Sequence, residues 1–515
     1  MPSKVYSGAI IGLEAQIVEV EVDASKGLRS FNIVGLPDKA VEESKERLGS
    51  AIKSIKLSPP HHQAKRVLVN LAPADLKKEG TLYDLPIALG YLLASKQTKF
   101  NPEDKIILGE LALDGRLKPI KGTLSFAILA KEKGFKEIIL PKENFKEASL
   151  SNILNQKDKL KIVGVEHLKE VIDYLENKEE VKLPEIDFAD FQNLPQDFEI
   201  EMGWIKGQSH AKRGLEIAAA GCHNILLQGP PGAGKTLLAK AIISILPSLD
   251  KEEILELTQI YSICGFLQKE NPFLAKRPFR NPHHTSSEVA LIGGGNPPRP
   301  GEITLSHRGI LFLDEFPEFH RDVLESLRQP LEEGEITIQR ARHNITFPAK
   351  FTLVAAANPC PCGYKNDPER ECTCTASQVA SYRRKLSGPL MDRIDIFNWI
   401  PSLKYDDLIS KDEENQSIEV RKKIERARKT QKERFKGEGI LTNCEMRIPQ
   451  IKKYCQIDGK SQNLLRKFVD SGKLSARGYH RVLKVARTIA DLEERENISF
   501  ESISEALMYR LREDE

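Results

Sequence analysis

The part of the sequence with the clearest chemistry is a glycine-rich loop that ends in lysine and threonine. Its residues are, in order, Gly229, Pro230, Pro231, Gly232, Ala233, Gly234, Lys235 and Thr236. Backbone N–H groups of such a loop can surround a phosphate, and the positive end of a following helix favours negative charge. We expect Lys235 to reach the β- and γ-phosphates of a nucleotide and Thr236 to bind Mg²⁺.

The residues on either side of this loop follow the patterns of a strand and a helix. Residues 225–227 form a short apolar run, as in a buried parallel strand, and residues 237–246 are apolar at helical spacing. A strand, the G-x-x-x-x-G-K-T segment and a helix are the complete context of a P-loop. Because a chance glycine-rich turn lacks this context, the sequence predicts a nucleotide-binding site.

A pair of carboxylates follows a second apolar run. Residues 310–313 predict another buried strand, and Asp314 and Glu315 come directly after it. Ligands of open α/β sheets bind at the carboxyl ends of the strands. We assign Asp314 to Mg²⁺ and Glu315 to the attacking water as general base. The alternative is an acidic surface pair, which the P-loop upstream in the same region disfavours.

The composition limits the class of protein. The chain has 515 residues, enough for about three domains, and its charged fraction of 29% is typical of a soluble globular protein. With a net charge of only +3, any contact with nucleic acid must be local. No apolar run approaches the roughly 18 residues of a membrane span, and Glu14, Glu19 and Glu21 interrupt any signal-peptide core. We expect a cytoplasmic protein without a membrane partner.

The region 1–175 contains no P-loop, and its pattern predicts an α+β domain. Strands are predicted at residues 17–22, 66–70, 106–108 and 136–141, and helices at 40–55, 85–95 and 123–133. The following residues, 176–200, are rich in Glu, Lys and Pro, with few aliphatic side chains. This composition indicates a linker.

Three segments of this region resemble the proteolytic domain of Lon proteases: residues 77–80, 109–120 and 138–144. Lon proteases use a Ser-Lys dyad, in which the lysine activates the serine. The serine position falls on Leu82 and the lysine position on Leu124. Because neither leucine can attack a carbonyl or accept a proton, the resemblance implies a Lon-type fold without protease chemistry.

Residual protease activity stays open as an alternative. Ser125 and Lys121 lie within a few positions of Leu124, so a small shift of the alignment would make them candidates for the dyad. A working dyad would still require a paired base in the correct geometry.

Further polar residues resemble those of AAA+ ATPases. Residues 351–357 predict a buried strand that ends at Asn358, which resembles the sensor-1 residue that orients the attacking water. Arg477 resembles the sensor-2 arginine that reaches the γ-phosphate. Arg393 resembles an arginine finger, which stabilises charge on the nucleotide of a neighbouring subunit. Its alternative role is a surface salt bridge with a nearby aspartate, either Asp392 or Asp395.

Two insertions separate these motifs. Residues 279–301 are rich in glycine and proline, and residues 335–347 alternate on both sides of a basic turn, as in a β-hairpin. Both resemble the pore loops of an AAA+ clade that includes magnesium chelatase motors and replicative helicases. The DNA-binding candidates are Arg340, Arg342 and His343 in the hairpin, and His283 and His284 in the first insertion. A solvated basic turn is the alternative for the hairpin.

Several short motifs together are specific to one family. They are Pro282-His-His, Gly293-Gly-Gly, Arg299-Pro-Gly-Glu, Leu313-Asp-Glu-Phe and Asn358-Pro-Cys-Pro-Cys-Gly. Over essentially the whole chain they resemble the YifB/ComM family of Mg-chelatase-like ATPases. The resemblance implies ATP and Mg²⁺ as cofactors, a homo-oligomer that is a hexameric ring, and single-stranded or branched DNA as partner. ComM-type members are helicases that promote branch migration during natural transformation.

Four of the eight cysteines form two C-x-C pairs separated by nine residues: Cys360, Cys362, Cys372 and Cys374. Four thiolates at short spacing can close a tetrahedral Zn²⁺ site, and such a site is structural because it leaves no open position. A redox pair or unligated thiols are the alternatives. Clustered cysteines in a cytosolic chain favour metal.

The sequence therefore predicts a multidomain α/β protein. Its parts are a Lon-protease-like α+β domain (1–175), a linker (176–200), an AAA+ ATPase core (201–400) and a helical C-terminal lid (401–515). The predicted function is an ATP-driven ring motor acting on DNA. The alternatives are a magnesium-chelatase-like ATPase and a chaperone-like ATPase that remodels protein partners. The Lon-like region and the cysteine pairs argue against a chelatase subunit.

Overall fold

A computed structural model gives the fold of most of the chain. It describes residues 2–62, 64–153, 159–178, 198–268, 271–339, 344–365, 367, 370–385, 390–403 and 416–510. The chain divides into two compact units. The N-terminal unit comprises Met1–Leu194 and Asp250–Ala275, and the P-loop unit comprises Pro195–Leu249 and Lys276–Glu515. Most of the predicted linker, residues 179–197, lies outside the described residues.

The N-terminal unit is built on a seven-stranded mixed sheet with the order β3-β4-β2-β1-β5-β8-β9. Its strands are β1 (Ser3–Ile11), β2 (Glu14–Lys26), β3 (Ser30–Val34), β4 (Lys65–Ala72), β5 (Lys105–Ile107), β8 (Glu137–Pro141) and β9 (Lys161–Val165), with β6 (Glu110–Leu111) and β7 (Leu117–Lys118) as a separate pair. Its main helices are Lys39–Glu42, Ser44–Ser54, Asp84–Ala94, Thr123–Glu132, Phe145–Ser149 and Leu168–Leu175. The strands and helices predicted for this region are present, and the predicted helix 40–55 is interrupted at Glu43.

Alternation along β2 determines which side of this sheet faces the core. Val18, Val20 and Val22 are fully buried, whereas the glutamates between them are partly exposed. The two leucines at the aligned dyad positions lie among apolar side chains, and Leu124 is fully buried. The nearby Ser125 hydroxyl donates to the Leu13 carbonyl at 2.9 Å. Neither leucine side chain can itself act as a nucleophile or base.

A helix from the middle of the chain, Lys251–Cys264, belongs to the N-terminal unit. Ser262 Oγ donates to Glu147 Oε1 at 2.5 Å and accepts from the Gly122 N–H at 2.8 Å. Leu255 of this helix joins an apolar cluster with Leu124. The sequence-based division assigned this helix to the ATPase core (201–400), but the structure groups it with the N-terminal unit because its polar and apolar partners lie there.

The P-loop unit contains a five-stranded parallel sheet with the order β11-β14-β17-β10-β18. The strands are β10 (Ile225–Gln228), β11 (Phe279–Arg280), β14 (Ile310–Leu313), β17 (Thr352–Ala357) and β18 (Ile396–Trp399). Helices cover the sheet, so β14 and β17 are buried along their whole length. We call the side where these strands end the carboxyl edge and the side where they begin the amino edge.

The helices of the P-loop unit come from both the predicted core and the predicted lid. They are Ser209–Gly221, Lys235–Ile245, Glu288–Ile292, Glu302–Leu305, Arg321–Ser326, Arg328–Glu333, Ala376–Lys385, Gln416–Arg434, Ile448–Tyr454, Gly459–Asp470, Ala476–Leu492 and Phe500–Met508. Apolar residues of the C-terminal helices share one core with the helices beside the sheet. None of the described helices is long and apolar enough to cross a membrane.

Both insertions form antiparallel pairs. In the first, β12 (Gly293–Gly294) pairs with β13 (Arg299–Pro300). In the second, β15 (Glu335–Gln339) pairs with β16 (Asn344–Pro348), which confirms the predicted hairpin. The basic residues of its turn, Arg340, Arg342 and His343, lie outside the described residues.

Candidate active site

The glycine-rich loop begins where β10 ends at the carboxyl edge. Gly229 follows the strand directly, and a Cβ atom there would lie 2.2 Å from the Ile400 carbonyl oxygen. Gly232 and Gly234 have φ angles of +80° and +87°, which side chains disfavour. The helix Lys235–Ile245 starts at the next residue. The glycines therefore allow a turn in which the backbone N–H groups at the helix N-terminus can point toward a phosphate.

The Lys235 ammonium group holds the loop together. Its Nζ donates to the carbonyl oxygens of Gly229 and Pro230, both at 2.8 Å, and to Asn358 Oδ1 at 3.0 Å. Burial lowers the pKa of Lys235 to about 8, and the charge of Asp314 opposes this shift. A phosphate in the loop would add negative charge and favour the charged ammonium.

The two predicted magnesium ligands lie side by side. Thr236 Oγ1 donates to Asp314 Oδ2 at 2.8 Å. Asp314 follows β14, which is separated from β10 by β17, and Thr236 lies in the first turn of the helix after the loop. A hydroxyl and a carboxylate are hard oxygen donors of the kind that Mg²⁺ prefers, so these residues fit the ion.

Glu315, the predicted general base, points into an open part of the site. Its backbone has a φ angle of +49°, and its N–H donates to Asp314 Oδ1 at 2.9 Å. Its side chain is 62% exposed, and its Oε2 lies 3.3 Å from His284 Nδ1. His284 comes from the loop after β11, which pairs in parallel with β14 and so ends at the same edge.

His284, a DNA-binding candidate in the sequence, lies beside Glu315, the predicted general base. Its ring lies against that of His283, with centroids 4.1 Å apart, and meets Phe319 edge-on. His283 Nδ1 in turn lies 2.8 Å from Thr285 Oγ1. Sequence reasoning missed the contact between His284 and Glu315, because the strand order that brings the loop to Glu315 is not visible in a local pattern.

Asn358, the predicted sensor-1 residue, lies between the two halves of the site. It follows β17, the strand between β14 and β10, and its side chain accepts from Lys235. The carboxyl edge therefore brings together Lys235, Thr236, Asp314 and Asn358 through direct contacts, with Glu315 next to them. These groups can bind phosphate, bind a divalent cation and polarise water.

The four clustered cysteines lie just beyond Asn358. Their Sγ atoms all lie within 4.8 Å of one another, and three pairs are separated by 3.3, 3.6 and 3.7 Å. Tetrahedral coordination with Zn–S bonds of about 2.3 Å requires sulfur atoms about 3.8 Å apart. A disulfide would need about 2.05 Å. The donor set and its spacing therefore fit zinc.

Arg393 lies at the opposite edge of the sheet. Arg393 lies just before β18, and Asn224 lies just before β10. The Asn224 side chain donates to the Arg393 carbonyl at 3.0 Å. The P-loop begins only after the four residues of β10, about 13 Å farther along. The Arg393 side chain is 9% exposed and forms an ion pair with Glu332. Burial lowers the pKa of Arg393, and Glu332 opposes this effect.

Arg477 lies at the amino edge as well. Its Nη1 is 3.7 Å from Asp392 Oδ2, next to Arg393, and its side chain is 65% exposed. The two arginines that the sequence assigned to the γ-phosphate are thus together, and neither is beside the P-loop of its own chain. The predicted alternative for Arg393, an ion pair with Asp392 or Asp395, differs from the contact with Glu332.

Asp395 has a structural role that the sequence did not reveal. It forms an ion pair with Arg481, accepts from the Asn224 N–H at 3.0 Å and lies 3.6 Å from His223 Nδ1. Burial disfavours its charged form, but Arg481 and His223 outweigh burial and hold the pKa of Asp395 well below its usual range. This network fixes the backbone that precedes β18, and with it the position of Arg393.

Comparisons with known proteins show which family the chain resembles. Three family descriptions match successive parts of the chain: Subunit ChlI of Mg-chelatase over residues 20–144, Magnesium chelatase, subunit ChlI over residues 201–408, and its C-terminal part over residues 414–510. Competence protein ComM of Haemophilus influenzae is 42% identical, over 98% of this chain and 97% of that protein. The uncharacterized protein YifB of Escherichia coli is 41% identical, over 99% and 97%. Magnesium-chelatase subunit ChlI of Euglena gracilis is 23% identical, over 56% and 83%.

Proposed function

The chain belongs to the ComM and YifB family of Mg-chelatase-like proteins, and from this premise we propose that it is an ATP-hydrolysing AAA+ ring motor acting on DNA. The observation that carries the proposal is the group of contacts at the carboxyl edge. Lys235 donates a hydrogen bond to Asn358, and Thr236 donates one to Asp314. Glu315 is the residue directly after Asp314 in the chain. This set can bind a nucleotide and activate water, which is the chemistry of an ATPase.

Each residue has one step in the proposed reaction. The backbone N–H groups of the loop bind the phosphates, and Lys235 exchanges its carbonyl partners for the β- and γ-phosphates. Thr236 and Asp314 would hold Mg²⁺, which neutralises charge on the phosphate oxygens when bound. Glu315 accepts a proton from the attacking water, and Asn358 orients that water against the γ-phosphate.

A neighbouring subunit completes the site in this proposal. Arg393 and Arg477 lie at the amino edge, about 13 Å of strand away from the loop of their own chain. Packing the amino edge of one subunit against the carboxyl edge of the next would supply both arginines to a bound nucleotide. Such a head-to-tail contact generates a closed ring when its rotation closes, and the proposed hexamer is one ring of this kind.

The two insertions support DNA as the partner. The first insertion begins at β11, the neighbour of β14, and the hairpin β15/β16 leads into β17, which ends at Asn358. We propose that Arg340, Arg342 and His343 at the hairpin turn contact the DNA backbone. One relative is named a competence protein, and we propose a ComM-type helicase that promotes branch migration during natural transformation or recombination.

The four cysteines are proposed to hold one structural Zn²⁺. Their spacing and donor type fit that ion, and four protein ligands leave no open position for chemistry. A chain purified under reducing, chelator-free conditions should contain about one zinc per subunit, consistent with four ligands per ion. Metal analysis should find none in the Cys360→Ser/Cys372→Ser variant.

Stimulation of ATP hydrolysis tests the choice of partner. We would measure turnover alone and with single-stranded DNA, branched DNA or an unfolded protein, using Lys235→Ala as the inactive control. The proposal expects stimulation by DNA and none by protein. Stimulation by protein alone would contradict DNA as partner and favour the chaperone-like or the magnesium-chelatase-like alternative. The magnesium-chelatase family description matches residues 201–408 of this chain.

A further inference from the structure

We propose that the cysteine cluster is a metal-dependent clamp on the P-loop, so that zinc bound by the four thiolates raises the affinity for nucleotide. The inference rests on the proposed zinc site and extends it, because a structural metal elsewhere in the chain would leave nucleotide binding unchanged. Its basis is a direct contact between the cluster and the phosphate-binding loop.

That contact joins Gly363 to Pro231. Gly363 follows Cys362 directly and has a φ angle of +86°. A Cβ atom built on Gly363 would lie 2.5 Å from Pro231 Cδ and 2.6 Å from Pro231 Cγ. Pro231 is the third residue of the glycine-rich loop, next to the Pro230 carbonyl that accepts from Lys235. The turn at the cluster thus lies against the part of the loop that Lys235 holds.

The turn is shaped by the cysteines themselves. The Gly363 N–H donates to the Cys360 carbonyl at 3.0 Å, and the Cys362 N–H donates to Cys374 Sγ at 3.3 Å. Cys360 is fully buried. A metal that joins all four sulfur atoms would fix this turn, whereas without metal the two C-x-C pairs are linked only by weak contacts.

The cluster is also connected to the active site along the chain. Cys360 is two residues after Asn358, which accepts from Lys235. After Cys374 the chain enters the helix Ala376–Lys385, and the hydroxyl of its buried Tyr382 lies near the Asn358 backbone. The chain therefore leaves Asn358, passes through the four cysteines and returns beside Asn358, so a metal held by the cysteines would act next to this active-site residue.

Loss of the metal should weaken nucleotide binding rather than abolish it. Fixing the backbone of one residue costs roughly 1–2 kcal/mol, and a tenfold change in affinity corresponds to about 1.4 kcal/mol. If one loop residue must be ordered by the nucleotide instead of by the clamp, the dissociation constant should rise about tenfold.

The first test removes zinc from the full chain. The zinc content and the dissociation constant of a fluorescent ATP analogue, with excess Mg²⁺ restored, are measured before chelation, after chelation and after zinc is added back. The expected result is about tenfold weaker binding in the zinc-free protein and full recovery with zinc. Equal affinity in the three states, with zinc loss confirmed, overturns the clamp. Absence of zinc from the purified chain overturns the zinc site and the clamp together.

The second test breaks the contact and leaves the ligands in place. Gly363→Ala inserts a methyl group against Pro231, and Gly437→Ala is its matched control, because Gly437 has a similar φ angle of +84° but no atom within 4 Å of its added Cβ. Gly363→Ala should keep its zinc and bind the analogue more weakly, whereas Gly437→Ala should bind like the wild type. Equal affinities for both variants would overturn the clamp.

A double variant checks that the clash causes the weaker binding. Pro231→Ala added to Gly363→Ala removes the atoms that clash and should recover part of the lost affinity. If Gly363→Ala does not fold, the zinc-removal test decides alone.

Failure of the motor proposal can be distinguished from failure of the clamp. It would appear as absence of ATP turnover in the zinc-loaded wild type, and that result does not depend on any difference in nucleotide affinity between these variants.

Discussion

At its carboxyl edge the sheet of the P-loop unit presents Lys235, Asp314 and Asn358, whereas at its amino edge it presents Arg393 and Arg477. The first edge has the groups that are proposed to bind phosphate, cation and water. The second has the arginines that are proposed to stabilise charge on a transferred phosphate. The two sets are separated by the length of the strands, so the Arg393 and Arg477 side chains of one chain are not beside its own glycine-rich loop. The comparison teaches why the proposed motor requires neighbouring subunits to meet edge to edge.

The two edges also differ in how their charges are held. At the carboxyl edge, Glu315 is 62% exposed and the glycine-rich loop is open to a ligand. At the amino edge, Arg393 is buried except for 9% of its side chain and is paired with Glu332, which is 52% exposed. Exposed partners form weak ion pairs, so a negatively charged phosphate of a neighbour can replace Glu332. The carboxyl edge is thus open to a ligand, whereas Arg393 at the amino edge is paired with Glu332 of its own chain.

The largest expected effect comes from removing groups at the carboxyl edge. Lys235→Ala should abolish nucleotide binding, because it removes the cation that meets the phosphates. Glu315→Gln should bind nucleotide normally but lose about 10²–10⁴ in turnover, the usual contribution of a general base. Binding of a fluorescent ATP analogue and steady-state hydrolysis measure the two properties. Wild-type turnover by the glutamine variant would show that Glu315 is not the base.

An intermediate effect is expected from the acid that anchors the amino edge. Asp395→Asn leaves Arg481 without its charged partner and should cost roughly 3–5 kcal/mol of stability, as for other broken buried pairs. Chemical denaturation measures this loss. The matched control is Asp392→Asn, at a partly exposed neighbour whose loss should change stability by less than about 1 kcal/mol. Equal losses in both variants would remove Asp395 as the anchor.

The same acid predicts a pH dependence. The pKa of Asp395 is lower in the folded chain than in the unfolded chain, so its contribution to stability is fully present above the unfolded pKa of about 3.9. That contribution is lost as the pH falls toward the folded pKa. The free energy of unfolding of the wild type should therefore decrease below about pH 5, and the slope should be shallower for Asp395→Asn. Parallel slopes would contradict this account.

The smallest effect concerns DNA, which both insertions are proposed to meet. Replacing Arg340 and Arg342 with Ala should leave basal hydrolysis intact and reduce the slope of log affinity against log salt by about 0.7–0.9 per lost phosphate contact. Lys422→Ala/Lys423→Ala, on an exposed helical surface, is the matched control and should keep the wild-type slope. An unchanged slope in the hairpin variant would place the DNA elsewhere.

Local patterns in the sequence predicted much of the carboxyl edge. The G-x-x-x-x-G-K-T segment, the apolar runs before Asp314 and Asn358 and the alternation in the hairpin each depend on residues close in the chain. The contact between Thr236 and Asp314 follows from parallel strands, whose carboxyl ends meet at one edge. These features could be predicted because motif and strand direction together determine the position of a side chain.

Contacts between distant segments could not be predicted in this way. The helical pattern of Lys251–Cys264 shows that one face is buried, but not that Glu147 of the N-terminal unit accepts from Ser262. The pairing of His284 with Glu315 depends on strand order, and that of Arg393 with Glu332 depends on the packing of a helix 60 positions earlier in the chain. Periodicity identifies buried faces, whereas tertiary packing selects their partners.

The most direct test of the two-edge account is a mixing experiment. Lys235→Ala removes the carboxyl-edge site and Arg393→Ala removes the amino-edge arginine, and each variant alone should lose most of its turnover, by about 10³–10⁵ for the arginine. In mixed rings, the intact loop of an Arg393→Ala subunit faces the intact arginine of a Lys235→Ala subunit. We predict that turnover recovers at intermediate mixing ratios. Absence of recovery at every ratio, with mixed rings confirmed by native mass spectrometry, would contradict the claim that neighbouring subunits complete the site.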